Sequence, residues 1–189
     1  MYSRGCSFPR RSRRLHAASS RTFRPSAFTL IEILIVVVIL GILATIVVPQ
    51  FSNASVNAKE NTLKDELRYL RTQVVVYKAQ HQDCPPGYPG GDRSANATGP
   101  DFIAQLTKPT DESGNTAAAN TQVFKFGPYL SAMPSNPLNN LTAVLIVDDT
   151  SPIPTPTDVD YGWIYKPLTG EIVANSTGSD ASGTAYRNY

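Results

Sequence analysis

Residues 27–51 read AFTLIEILIVVVILGILATIVVPQF, an apolar run with a single acid, Glu32, near its start. Residues 28–48 alone make 21 positions with one charge. As a helix rising about 1.5 Å per residue, such a run spans roughly 31 Å, close to the thickness of a hydrocarbon core. Few helices of soluble proteins run this long without a polar face, so a membrane-spanning segment is expected. A carboxylate at the centre of a membrane helix costs about 2.5–3.5 kcal/mol, less near an end, so Glu32 needs a reason.

The flanking charge orients the run. Seven of the 17 basic residues precede Phe28: Arg4, Arg10, Arg11, Arg13, Arg14, Arg21 and Arg24. All 15 acids follow it, which leaves ten basic residues against 15 acidic ones in the remainder, a formal −5. Arginines directly before an apolar run stay cytoplasmic and send the C-terminal part across the membrane. An acidic body gives no sign of a nucleic-acid interface. A secretory signal peptide is the alternative, with residues 33–48 as its apolar region and Ser52, Asn53 and Ala54 at the cut. Against it, the run is long for a signal peptide and contains Glu32. The pairs Arg10 with Arg11 and Arg13 with Arg14 are a weak sign of twin-arginine export, since any basic leader produces pairs.

The same stretch resembles the N-terminal segment of type IV pilins and type II secretion pseudopilins. The resemblance implies a leader cut between Ala27 and Phe28 by a prepilin peptidase, with N-methylation of the new Phe28 amine. Family members usually carry Gly before the cut; here Ala27 keeps a small side chain, and processing is expected. Gly41 and Pro49 stand where the family places a helix-loosening Gly and Pro. The resemblance also implies that Glu32 pairs with the amine of a neighbouring subunit and sets register in the fibre. A Glu in the first turn suits the helix dipole as well. Implied partners are other pilin-like subunits in a homo-oligomeric helical fibre, the peptidase, an inner-membrane assembly platform and membrane lipid. The implied location is the bacterial inner membrane, single-pass with a cytoplasmic N-terminus, then a periplasmic or extracellular fibre. Secretion pseudopili, motility pili and DNA-uptake pili share this segment.

Beyond Gln50 the pattern changes. Leu63, Leu67, Leu70, Val74 and Tyr77 recur at spacings of 4, 3, 4 and 3, one apolar helical stripe. The expected organisation is a basic leader at 1–27, removed on processing, and a transmembrane and fibre-core helix at 28–49. An amphipathic continuation follows at 50–82, then a loop-rich globular part at 83–175 and a flexible tail at 176–189. Pro85, Pro86, Pro89 and three nearby glycines end the helix. Asp101 to Leu106 suggests a short helix. TQVFKF at 121–126, LTAVLIV at 141–147, YGWIY at 161–165 and EIVAN at 171–175 read as strands, the last two joined by a hairpin. The fold class is α+β and pilin-like: one long N-terminal helix packed on a small antiparallel sheet of three or four strands.

Candidate chemistry is sparse. His81, Asp83 and Cys84 cluster at the end of the long helix, but a metal usually takes three or four protein ligands. Once the leader is removed, Cys84 has no partner in its own chain. Asp148, Asp149, Asp158 and Asp160 bracket Pro152, Pro154 and Pro156. An ordered loop would converge these carboxylates on calcium, and major pseudopilins carry a calcium loop near the C-terminus. A solvated, stiff connector fits the same residues. No phosphate loop, nucleophile elbow or metal-binding histidine pair is present, so no enzyme is expected. The second functional reading is a membrane-anchored extracytoplasmic binding domain that does not polymerise.

Overall fold

A computed structural model describes residues 27–148 and 150–189, with the side chains of Val48, Pro49 and Ser52 left aside. The arginine-rich leader, with Cys6 and His16, lies outside the described residues. The chain divides into two units, Met1–Thr45 and Ile46–Tyr189.

The apolar run and the amphipathic stripe belong to one helix, α1, Leu30–Gln80, 51 residues long. Pro49 lies inside it, so the proline does not end the helix even though its ring removes one backbone donor. In the second unit the stripe is the core face: Leu63, Leu67 and Leu70 are fully buried, and Val74 and Tyr77 nearly so. They pack with Phe102, Leu106, Leu130, Val144, Trp163, Tyr165, Ile172 and Ala174.

Phe102 and Leu106 come from α2, Gly99–Thr107. Thr98 caps it by accepting from the Asp101 N–H at 3.1 Å, and Pro100 occupies the first turn, where its missing donor does no harm. The sheet has three short strands: β1, Val144–Ile146; β2, Trp163–Lys166; and β3, Glu171–Ala174, in that order. It is mixed, which corrects the expectation of a wholly antiparallel sheet. β2 and β3 form the expected antiparallel hairpin, Trp163 facing Ala174 and Lys166 facing Glu171. Its loop closes where the Gly170 N–H donates to the Lys166 carbonyl at 2.9 Å, with Gly170 at φ 71°. β1 runs parallel to β2, with Val144 opposite Trp163. Parallel neighbours need a crossover of a dozen or more residues, and the proline-rich segment between Ile146 and Trp163 supplies one. Trp163, Tyr165, Ile172 and Ala174 face α1, while Ile164 and Val173 pack with Val147, Leu145 and Ile153 on the other face. Burial on both faces explains why these strands read as continuous apolar runs.

Residues 121–126 form no strand; Phe126 only bridges Thr110, in the loop after α2. The tail, expected to be flexible, is folded onto α1. Asp180 organises a turn by accepting from the N–H groups of Ser182 and Thr184, each at 2.9 Å. Its second oxygen accepts from the Tyr189 hydroxyl at 2.8 Å and stands 3.7 Å from Lys64 Nζ. Lys64 also lies over the Tyr189 ring, 4.2 Å from its centroid. Tyr186 donates to Glu60 at 3.1 Å, and Arg71 donates to the main-chain oxygens of Ile172 and Tyr189. Composition gave no sign of this docking, because the anchors are isolated residues within a Ser/Gly/Thr-rich stretch.

Loop joints are closed by buried amides. Gln105 accepts from the Gly87 N–H at 2.7 Å and donates to the carbonyls of Tyr88 and Gly114 at 2.8 and 2.9 Å. Asn136 donates to the Gly162 carbonyl at 2.8 Å and to Ser176 Oγ at 2.9 Å. At Gly162 a Cβ would run into the Leu141 carbonyl, which is backbone and has little room to yield.

Two expectations follow. Gly162→Ala destabilises the folded part by about 1–3 kcal/mol through overpacking, read by denaturant unfolding of the detergent-solubilised chain. The second concerns acid. Hydrogen bonds from Ser182 and Tyr189 hold the Asp180 carboxyl well below the usual carboxylate range. A depressed folded value means that docking is fully supported above the unfolded carboxylate value of about 3.9 and weakens as pH falls below it. Amide exchange in residues 176–189 is therefore expected to keep its protection relative to the sheet from pH ~7 to ~5 and to lose it progressively below pH ~4.

Candidate functional site

The start of α1 is the site with chemistry to explain. Ala27, Phe28 and Thr29 precede the helix, so the Ala27–Phe28 bond lies in non-helical backbone, and Phe28 is 78% exposed. A peptide bond outside a helix can enter a peptidase without unwinding one.

Thr29 is the N-cap and Glu32 the third helical residue. The Glu32 N–H donates to Thr29 Oγ1 at 3.2 Å, and Glu32 Oε2 accepts from the Thr29 N–H and hydroxyl, each at 3.1 Å. This is a reciprocal capping box, which satisfies orphan donors of the first turn and contributes about 1 kcal/mol. Thr29 was missed in the sequence, although Thr-x-x-Glu before an apolar run is its signature. The carboxylate is thereby fixed in place at the helix start, and its negative charge complements the helix dipole.

Behind the cap, Leu30–Val47 is an 18-residue span long and apolar enough to cross a membrane, and none of it is buried within the chain. A Cβ at Gly41 would meet nothing within 4 Å among the described residues, so no contact among them requires its small size. Thr45 turns its hydroxyl back to the Ile42 carbonyl at 2.7 Å, which hides its polarity in an apolar surrounding. The backbone of Pro49 is helical; its side chain lies outside the described residues.

Of the four aspartates expected to hold calcium, Asp148, Asp158 and Asp160 are described. Among the described residues no three His, Cys, Asp or Glu side chains come together to hold a metal ion, and Asp149 lies outside them. Asp148 and Asp158 are engaged locally. Asp148 accepts from the Thr150 N–H at 2.8 Å and its hydroxyl at 2.6 Å, which holds its carboxyl below the usual range. Asp158 accepts from the Thr177 N–H at 2.9 Å and from the Thr177 hydroxyl. Asp160 is exposed.

His81 is structural. It is buried and stacked on Tyr77 with ring centroids 3.8 Å apart. Its Nδ1 lies 2.8 Å from the Tyr77 carbonyl, which can only accept, so Nδ1 carries the proton. The opposite nitrogen is 3.0 Å from Thr110 Oγ1. With both nitrogens engaged, the ring fastens the end of α1 to the following loop. Cys84 is a free, half-buried thiol whose Sγ contacts the carbonyls of Gly91 and Pro85 at 3.5 and 3.7 Å.

Comparison with known proteins bears on the N-terminal segment and beyond it. Residues 23–48 match the model of the prokaryotic N-terminal methylation motif. The chain is 36% identical over 115 residues to the type II secretion system core protein G of Pseudomonas aeruginosa, covering 61% of this chain and 69% of that protein. It is 30% identical over 117 residues to the core protein G of Aeromonas hydrophila, covering 62% and 70% respectively. The core protein G of Vibrio cholerae is 28% identical over 117 residues, 62% of this chain and 68% of that protein. No solved structure gives a significant match.

Proposed function

The chain belongs to the type II secretion system core protein G family, and on that premise we propose how this pilin-like subunit is processed, oriented and joined to its neighbours. It is a membrane-anchored structural protein that assembles with other pilin-like subunits into a pseudopilus. The observation that carries the proposal is the wholly uncovered apolar helix Leu30–Val47 with one carboxylate fixed at its start.

A prepilin peptidase cuts between Ala27 and Phe28 and leaves a methylated Phe28 amine. Before assembly the helix sits in the inner membrane, oriented by the arginine leader, with the second unit outside the cytoplasm. On extraction by an assembly platform, neighbouring helices replace lipid around it. Glu32 then meets the amine of the adjacent subunit. An unpaired charge inside an apolar bundle is strongly unfavourable, so only registers that join the two charges are stable. Gly41 and Pro49 let α1 adjust as the bundle closes. The protein has no catalytic role in this scheme.

The capping box permits a clean test, because Gln fills the third helical position of such a box as well as Glu does. Glu32→Gln keeps the cap and removes the charge. The variant is expected to insert in membranes at the wild-type level and to yield few or no fibres, measured by shearing and sedimentation. Normal fibres from Glu32→Gln would remove charge pairing from the scheme and leave Glu32 as a cap alone.

A further inference from the structure

Beside the docked Tyr189, α1 carries an open groove of 360 Å³ lined by Lys64, Arg68, Arg71, Thr72 and Tyr189. Three cations in one groove are unexpected on a body with ten basic and 15 acidic residues after Phe28. Four of those ten, Lys59, Lys64, Arg68 and Arg71, fall within one stretch of α1. Lys64 and Arg71 are partly occupied by the tail, through Asp180 and the Tyr189 main-chain oxygen. Arg68 is not. Its side chain is 81% exposed, and its one ion pair among the described residues, 3.7 Å to a similarly exposed Asp65, contributes little in water.

The complementary surface lies on the same chain. Residues 126–165 contain four aspartates and no Lys or Arg. Among the described residues, Asp148, Asp158 and Asp160 stand in no ion pair. Pro152, Pro154 and Pro156 stiffen the crossover that carries them, and Thr150 and Thr177 pin Asp148 and Asp158. A stiff, pinned segment loses little conformational freedom on docking.

We propose that the groove of Lys64, Arg68 and Arg71 receives the acidic crossover, residues 148–160, of a second copy of this chain. The proposal rests on the fibre reading above and adds the contact between the folded units outside the membrane. Two different patches of one chain meeting head to tail make a heterologous contact, which repeats into an open helical array when the rotation does not close. Opposite charges also fix which patch meets which, since like charges brought together are strongly disfavoured.

The test uses the full-length chain expressed with its secretion machinery. Arg68→Glu faces the acidic crossover with another acid, and sheared fibre is expected to fall by about tenfold at unchanged membrane level. Adding Asp160→Lys to Arg68→Glu is expected to restore most of the yield. In a Cys84→Ser background, Arg68→Cys with Asp160→Cys is expected to give an oxidised ladder of cross-linked copies from fibres. Wild-type yield from Arg68→Glu together with no ladder overturns the contact, as does a loss that the charge swap leaves unrestored without a ladder. Normal Arg68→Glu fibres with weakened binding to phosphatidylglycerol vesicles would overturn it in favour of a lipid surface. Absence of fibres from the unsubstituted chain overturns polymerisation itself, a result distinct from all of these.

Discussion

One helix has to satisfy two different surroundings, and the rest of the molecule follows from that constraint. Leu30–Val47 is apolar on every side apart from Glu32 at its start and is wholly uncovered within the chain, whereas from Leu63 to Tyr77 a single stripe is buried. Fully burying a large aliphatic side chain is worth about 1.5–3 kcal/mol, so the first part of α1 is stable only inside lipid or among other apolar helices. The second part meets its need within the chain. Its stripe is covered by α2 and by the Trp163, Tyr165, Ile172 and Ala174 face of the sheet. In the proposed assembly neighbouring helices replace lipid around the first part of α1, while the stripe on the second part is already covered within the chain.

The carboxylate at the head of the helix has one role within the chain and a second, separable one in the proposed fibre. Within the chain Glu32 completes the Thr29 cap, which requires a side-chain acceptor but no charge. The proposed second role, selecting register in a fibre, requires the charge and the amine that cleavage would make. Capping lowers the cost of placing the group at the membrane boundary, since the carboxylate is hydrogen-bonded and lies in the first turn. The cap and the proposed pairing are compatible in one residue because the third helical position reaches backward to the cap while standing on the helix surface.

Much of this was legible in the sequence because it is periodic or local. The membrane run, the Leu63-to-Tyr77 stripe, α2 and the β2–β3 hairpin each show within a short window, and all appear in the structure. Contacts that depend on chain closure were not legible. The parallel placement of β1 is set by how the proline-rich crossover returns, not by the strand's own residues. The 121–126 alternation is overridden because Phe126 bridges Thr110 instead of joining the sheet. The tail reads as loose by composition, yet Asp180, Tyr186 and Tyr189 find Glu60, Lys64 and Arg71 more than a hundred residues earlier. At the candidate site the sequence singled out Glu32 but not Thr29, and of the four aspartates it offered as a calcium set, Asp148 serves a local turn and Asp158 a tie to Thr177.

Mass spectrometry of the N-terminus of the chain recovered from membranes and fibres tests the proposed processing most directly. The expected product begins with N-methylated Phe28. A chain that keeps Met1, or one that begins at Ser55 after signal-peptide cleavage, would contradict it.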